Sequence, residues 1–314
     1  MQLPIELQQA IETLAEGYGL KALKSARESI SEDYRKGSSS SKGFRDPNQL
    51  FSYLITRMPA TFGACSQVFQ EIAARLPEFK PKTFLDLGAG PGTASWAALD
   101  TFPSLAKLHL IERESDAIEI GKKLNLPNAQ WHKASLEMPF PVAKADLAVL
   151  SYVFAEIADL SIVDRLLDSE ISLIAVIEPG TPAGFERIRK IRQHVLNKGA
   201  HLIAPCPHAH ACPMKGSDWC HFSARIERTR LHRLLKEGTL GHEDEKYSYV
   251  VFAKNSFTTV PFKGRVVRHP QKGSGFVRLA LCDSSGELIQ ETITRSNKEL
   301  YRSARDAEWG MTWM

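Results

Sequence analysis

Three of the five cysteines in this 314-residue chain fall in one short stretch, Cys206-Pro-His-Ala-His-Ala-Cys212-Pro-Met-Lys-Gly-Ser-Asp-Trp-Cys220-His-Phe. The spacing is C-x5-C-x7-C, and each of the first two thiols is followed by proline. Thiols this close together are poor packing elements and good ligands for a metal or an iron–sulfur cluster. A four-ligand thiolate site needs one more donor. Cys282, in Val277-Arg-Leu-Ala-Leu-Cys-Asp283, lies 62 residues past Cys220 at the end of a predicted strand. His208, His210 and His221 are alternatives that would complete a Cys3His zinc site. Cysteine–proline pairs recur around iron–sulfur clusters, yet the spacing leaves zinc and iron–sulfur both open. Cys65 has no ligand-type neighbour and reads as a buried, apolar-like thiol.

A second candidate site lies upstream. Thr83-Phe-Leu-Asp-Leu-Gly-Ala-Gly-Pro-Gly-Thr-Ala-Ser95 is an apolar strand, a glycine-rich turn and a helix start. Glycines allow a tight turn and close ligand approach, and the helix start offers unpaired N–H groups. The pattern is neither the dinucleotide G-x-G-x-x-G form nor a P-loop. Asp86 ahead of Gly88-x-Gly90-x-Gly92 resembles motif I of class I methyltransferases, which binds S-adenosyl-L-methionine. In that family an acidic residue ending the next strand, here Glu112, takes both ribose hydroxyls, a role that suits a carboxylate. Asp146, just before the fourth strand, also matches the family's pattern. The resemblance therefore assigns Asp86, Gly88, Gly90, Gly92, Glu112 and Asp146 to the cofactor. Ser151-Tyr152-Val153-Phe154 after strand four lacks the polar-Pro-Pro-aromatic motif of amino-group methyltransferases, and no residue stands out as a general base. Cys206 after Pro205 superficially resembles an RNA cytosine methyltransferase nucleophile, but it lies beyond strand five and its helix.

The surrounding elements fit such a fold. Residues 1–80 read as a helical region, with a break at Pro59 and a flexible loop at Gly37–Gly43. Residues 81–314 read as the methyltransferase-like domain. Strands are predicted at Thr83–Leu87, Lys107–Ile111, Gln130–His132, Leu147–Ser151 and Ser172–Ile177, with helices between them. This is an α/β, Rossmann-like parallel sheet covered on both faces. A cysteine-rich metal-cluster insertion occupies residues 200–224, flanked by predicted basic helices Phe185–Lys198 and Ser223–Glu237. A β-rich part follows at 245–295.

Net charge is only +4, but residues 181–240 hold eleven Lys/Arg against four Asp/Glu, and residues 261–280 add five Lys/Arg and no acid. Such asymmetry suggests a polyanion on one face, nucleic acid foremost. Sparse, odd cysteines argue against a secreted disulfide framework. No apolar run approaches bilayer-spanning length, so no membrane partner is expected. The first residues show neither a signal peptide nor a transit peptide. They predict a cytoplasmic bacterial protein, or a mitochondrial matrix protein whose presequence is missing.

Together these features resemble the methyltransferase-like family of small-ribosomal-subunit proteins, which has mitochondrial and bacterial members. The likeness rests on Tyr53-Leu-Ile-Thr-Arg-Met-Pro-Ala-Thr-Phe62, on Leu85–Ala97 with its tryptophan, and on Cys206-Pro-His…Cys212-Pro…Asp218-Trp-Cys220-His-Phe222. It implies a 4Fe–4S cluster on Cys206, Cys212, Cys220 and Cys282, with zinc the lesser alternative. It also implies association with the small ribosomal subunit and its 16S-type rRNA and a role in its assembly, with no secure methyl acceptor; the sequence leaves the oligomeric state open, with a monomer expected. The competing expectations are an active rRNA methyltransferase and a small-molecule methyltransferase with structural zinc.

Overall fold

A computed structural model describes residues 1–35, 46–157 and 159–314, side chains from 30 to 35 excepted. The loop expected at Gly37–Gly43 lies outside the described residues. Four helices open the chain: α1 (Ile5–Ala15), α2 (Leu20–Arg35), α3 (Pro47–Thr56) and α4 (Met58–Arg75). Asp46 caps α3, accepting from the Gln49 amide at 3.0 Å, with Pro47 in the first turn. Pro59 lies in the first turn of α4, where a missing N–H is no loss, so the break falls at Arg57. Leu7, Leu54 and Phe69 from these helices share one apolar core with Phe84 and Leu108 of the sheet. The helical region is therefore a covering layer of the α/β fold.

The alternating part follows the sequence reading closely. Its order is β1 (Thr83–Leu87), α5 (Thr93–Thr101), β2 (Lys107–Glu112), α6 (Ser115–Lys123), β3 (Ala129–Lys133), β4 (Ala145–Ser151), α7 (Ser161–Leu167), β5 (Ile171–Pro179) and α8 (Pro182–Asn197). Next come β6 (His201–Ala204), β7 (Phe222–Glu227), α9 (Arg230–Lys236) and β8 (His242–Ala253). The sheet runs β3-β2-β1-β4-β5-β8-β6, with β7 added on β8. Strands β1 to β5 are parallel, whereas β8 runs antiparallel to β5 and β6 antiparallel to β8. Strands β1, β4 and β5, inside the sheet, read as apolar runs because helices cover both faces, whereas edge strand β3 is polar and largely exposed.

Two expectations need correction. Ser223–Glu237 is not one basic helix: Phe222, Ala224 and Ile226 are buried while Ser223, Arg225 and Glu227 are exposed. That period of two makes the first half a strand. The β-rich part at 245–295 also splits, since β8 completes the first sheet. The remaining strands are β9 (Gly264–Val266), β10 (Gln271–Gly273), β11 (Phe276–Asp283), β12 (Leu288–Thr294) and β13 (Thr312–Trp313). They form a second sheet covered by α10 (Lys298–Asp306). Val277, Leu279 and Leu281 of β11 face a separate small core with Ala304 and Trp313. Among the described residues no helix is long and apolar enough to cross a membrane.

Candidate functional site

The cysteine site is built from both sheets. The chain leaves β6 at Pro205 and Cys206, loops through Cys212, and re-enters the first sheet at β7 just after Cys220. The Ser248 hydroxyl on β8 donates to the Cys220 carbonyl at 2.8 Å, and the Trp219 indole N–H donates to the Gly180 carbonyl at 3.1 Å. Cys282 comes from β11 of the second sheet. Because Val277, Leu279 and Leu281 point to that sheet's core, alternation turns Cys282 to the opposite face, directly across from Arg265 on β9. Cys206, Cys212, Cys220 and Cys282 all line one partly open cavity between the sheets, together with Phe185, Met214 and Val267.

Two buried guanidiniums frame this cavity. Arg192 donates through Nε to Cys206 Sγ at 3.2 Å, and through Nη2 to the His208 and His210 carbonyls at 2.9 and 2.8 Å. Arg265 donates to the Pro205 carbonyl at 3.0 Å, the Gly310 carbonyl at 2.8 Å and Glu71 Oε1 at 2.5 Å. Burial raises the pKa of the Cys212 and Cys220 thiols and pushes that of Cys282 up to about 12. Metal-free, these three sulfurs are neutral thiols; ligation would deprotonate them. His208 is buried with Nε2 3.4 Å from Cys282 Sγ. Burial first, and Arg192 second, hold its pKa down at about 4. His221 stacks on Trp219 and meets the Trp309 ring at a 50° tilt, and His210 is exposed. Among the described residues no three His, Cys, Asp or Glu side chains stand close enough to hold a single metal ion. Cys65 is fully buried in α4, away from the cavity.

The glycine turn after β1 is a different kind of site. Gly88, Gly90 and Gly92 all have positive φ (73°, 54° and 89°), and a Cβ on Gly90 would meet nothing within 4 Å. The turn therefore demands glycine and leaves open space above its middle. Asp86 is fully buried, and its Oδ2 accepts from the Ser95 amide at 3.1 Å and hydroxyl at 2.7 Å, tying β1 to α5. Burial pushes its carboxyl up to about 7 against those two bonds, with Glu112 adding to the rise. Glu112 accepts from the Gly90 amide at 2.8 Å and from the Arg113 and Glu114 amides at 2.7 and 2.9 Å.

Asp146 does not join this group. It aligns with the start of β1, at the opposite end of the strands, and accepts from the Lys82 and Thr83 amides and the Thr83 hydroxyl at 2.7 to 3.0 Å. Its geometry is that of a strand clamp.

Sequence reasoning missed the groups after β4. Tyr152 has φ of 61°, and its hydroxyl donates to Glu245 at 3.1 Å. Buried Glu178 accepts from the Phe154 amide and from Arg187 Nε. Arg192 was also missed, although its place on the apolar face of α8, with Phe185, Ile188 and Val195, is readable in the sequence.

The sheet order with one antiparallel strand inserted beside β5, and a glycine turn after β1, defines a class I methyltransferase-like fold. The family described as mitochondrial small ribosomal subunit Rsm22 matches residues 47–314, and the chain belongs to it. It is 27% identical to the human ribosome assembly protein METTL17, mitochondrial, over 82% of this chain and 61% of that protein. It is 24% identical to the Schizosaccharomyces pombe Rsm22-cox11 tandem protein 2, mitochondrial, over 86% of this chain and 44% of that protein. The chain thus spans about half the length of the relatives it matches. Among solved structures, the plantazolicin methyltransferase BpumL in complex with SAH aligns with 79% of this chain and 99% of its own, at 14% identity and a TM-score of 0.42. The relatives are mitochondrial, which overturns the expectation of a bacterial cytoplasmic protein. That expectation rested on the absence of a targeting signal in the first residues, and such an absence does not fix a compartment.

Proposed function

We propose that the chain is a ribosome assembly factor of the mitochondrial small subunit that binds rRNA and S-adenosylmethionine and carries a 4Fe–4S cluster on Cys206, Cys212, Cys220 and Cys282. The observation that carries this reading is the convergence of four thiols, from two sheets, on one cavity. Four cysteines lining a common space are a donor set that suits an iron–sulfur cluster, as it also suits a four-cysteine zinc ion; the family resemblance favours the cluster. When bound, the cluster would supply four sulfur–iron bonds that lock the 206–220 loop against β11.

For the cofactor, the open space over Gly90 and the carboxylate of Glu112 support S-adenosylmethionine binding. Glu112 would exchange its bond from the Gly90 amide for ribose hydroxyls. Methyl transfer has less support. The Tyr152 hydroxyl after β4 is held by Glu245, and no acceptor motif follows. The rRNA reading rests on the relatives' names and on exposed Lys190 of α8, Lys215 of the cysteine loop, and Arg230 and Arg233 of α9. Arg187, Arg225, Arg228 and Lys236 are committed to internal ion pairs and contribute less.

The test is Cys206→Ser, assayed for iron and for co-sedimentation with the small subunit. We expect both to be lost together. Normal co-sedimentation of an iron-free variant would contradict the proposal.

A further inference from the structure

We propose that Arg192 is a built-in counter-charge for an anionic metal–thiolate centre, setting how tightly that centre is held and at what potential it is reduced. The inference rests on the cluster reading of the cysteine cavity. Arg192 is 3% exposed. Its acceptors are a cysteine sulfur and two backbone carbonyls. On the same helix, Arg187 pairs with Glu178 and Arg189 with Glu186, each at 2.7 Å. Arg265, across the cavity, pairs with Glu71. Arg192 alone of these four has no carboxylate within ion-pair distance among the described residues.

A buried, unpaired guanidinium is costly, because desolvation is not repaid by neutral acceptors. Packing does not explain it either, since Ile188, Ile191 and Val195 already fill the apolar face of α8. What the site lacks is negative charge, and the nearest groups able to carry it are the thiols. Four thiolates outweigh the charge of an iron–sulfide core, so the loaded centre is an anion lying against the guanidinium. The Nε–H donated to Cys206 Sγ adds a hydrogen bond to a ligand sulfur. Positive charge and N–H···S bonds both favour the reduced, more negative state and raise the potential. Arg192 is thus a positioning residue, acting through Cys206 and through the two carbonyls that shape the 206–212 loop.

The test compares the full chain, purified anaerobically, with Arg192→Met and Arg192→Lys. Iron per chain, the rate of iron loss to a chelator, the reduction potential and the urea stability of loaded and apo protein are read for each. Arg192→Met should lose iron about tenfold faster or more, the scale of outer-shell effects on metal sites, and its potential should fall. The substitution should destabilise the loaded protein more than the apo protein, which a purely structural role would not do. Arg192→Lys, which keeps the charge, should recover most of the potential. Equal potentials and equal rates of iron loss in wild type and Arg192→Met would overturn the inference, as would equal destabilisation of both forms. Zinc in the wild-type chain would remove the cluster reading while the chelator rates still decided the counter-charge. A chain that binds neither metal would defeat both.

Discussion

The glycine turn and the cysteine cavity are both candidate sites, but they reach their shape in opposite ways. The turn draws its hydrogen bonds from its own neighbourhood: Asp86 Oδ2 is bonded to Ser95, and Glu112 to three backbone amides within the same loop region, while Asp86 Oδ1 is buried without a partner. The cavity is assembled from β6, the loop to β7, α8 and a strand of a second sheet. It holds four free cysteines beside Arg192, a buried guanidinium with no carboxylate in ion-pair range among the described residues. The turn is therefore built from neighbouring segments, whereas the cavity joins residues far apart in the chain. On the proposed function, the cavity is the part that distinguishes the chain.

The largest expected effect separates the two sites outright. Cys282→Ser should abolish iron binding and small-subunit association while leaving S-adenosylmethionine affinity, measured by titration calorimetry, unchanged. Loss of both would show that the sites are not independent. Next, Leu279→Ala in the small core behind Cys282 should cost roughly 2–5 kcal/mol in urea unfolding and lower iron content. Phe84→Ala in the first core, at roughly 3–5 kcal/mol, should impair both sites. Glu112→Ala should weaken S-adenosylmethionine binding about tenfold or more, since it removes a charged acceptor worth roughly 1.5–3 kcal/mol, with iron content unchanged.

The last prediction is a pH dependence. The folded carboxyl of Asp86 is raised to about 7 from an ordinary value near 3.8. Between those values the folded chain holds a proton that the unfolded chain releases. Its contribution to stability is therefore fully present below about pH 4 and lost as pH rises through about 7. Asp86→Asn should flatten that slope in urea melts between pH 5 and pH 8.

The turn was legible because everything it needs is contiguous or ends a neighbouring strand. An apolar run, glycines at fixed offsets and an acidic residue at the end of the next strand sufficed for Asp86, Gly88, Gly90, Gly92 and Glu112. Asp146 misled because its offset from strand four says nothing about which end of the sheet it occupies. The four cysteines that line the cavity were legible in the sequence, and its frame was not. That β7 is a strand followed from the alternation Phe222, Ala224, Ile226, which local basic composition obscured. The second sheet escaped because β9, β10 and β13 are two or three residues long, too short for any periodicity. Much of the basic excess also proved to be structural, as with Arg228 and Lys236 on Glu243.

The most direct test of the central claim is the visible spectrum of anaerobically purified chain, taken with iron, sulfide and zinc assays. A brown protein with about four irons and about four sulfides per chain is expected of a 4Fe–4S centre. A colourless protein with about one zinc and no sulfide would contradict it.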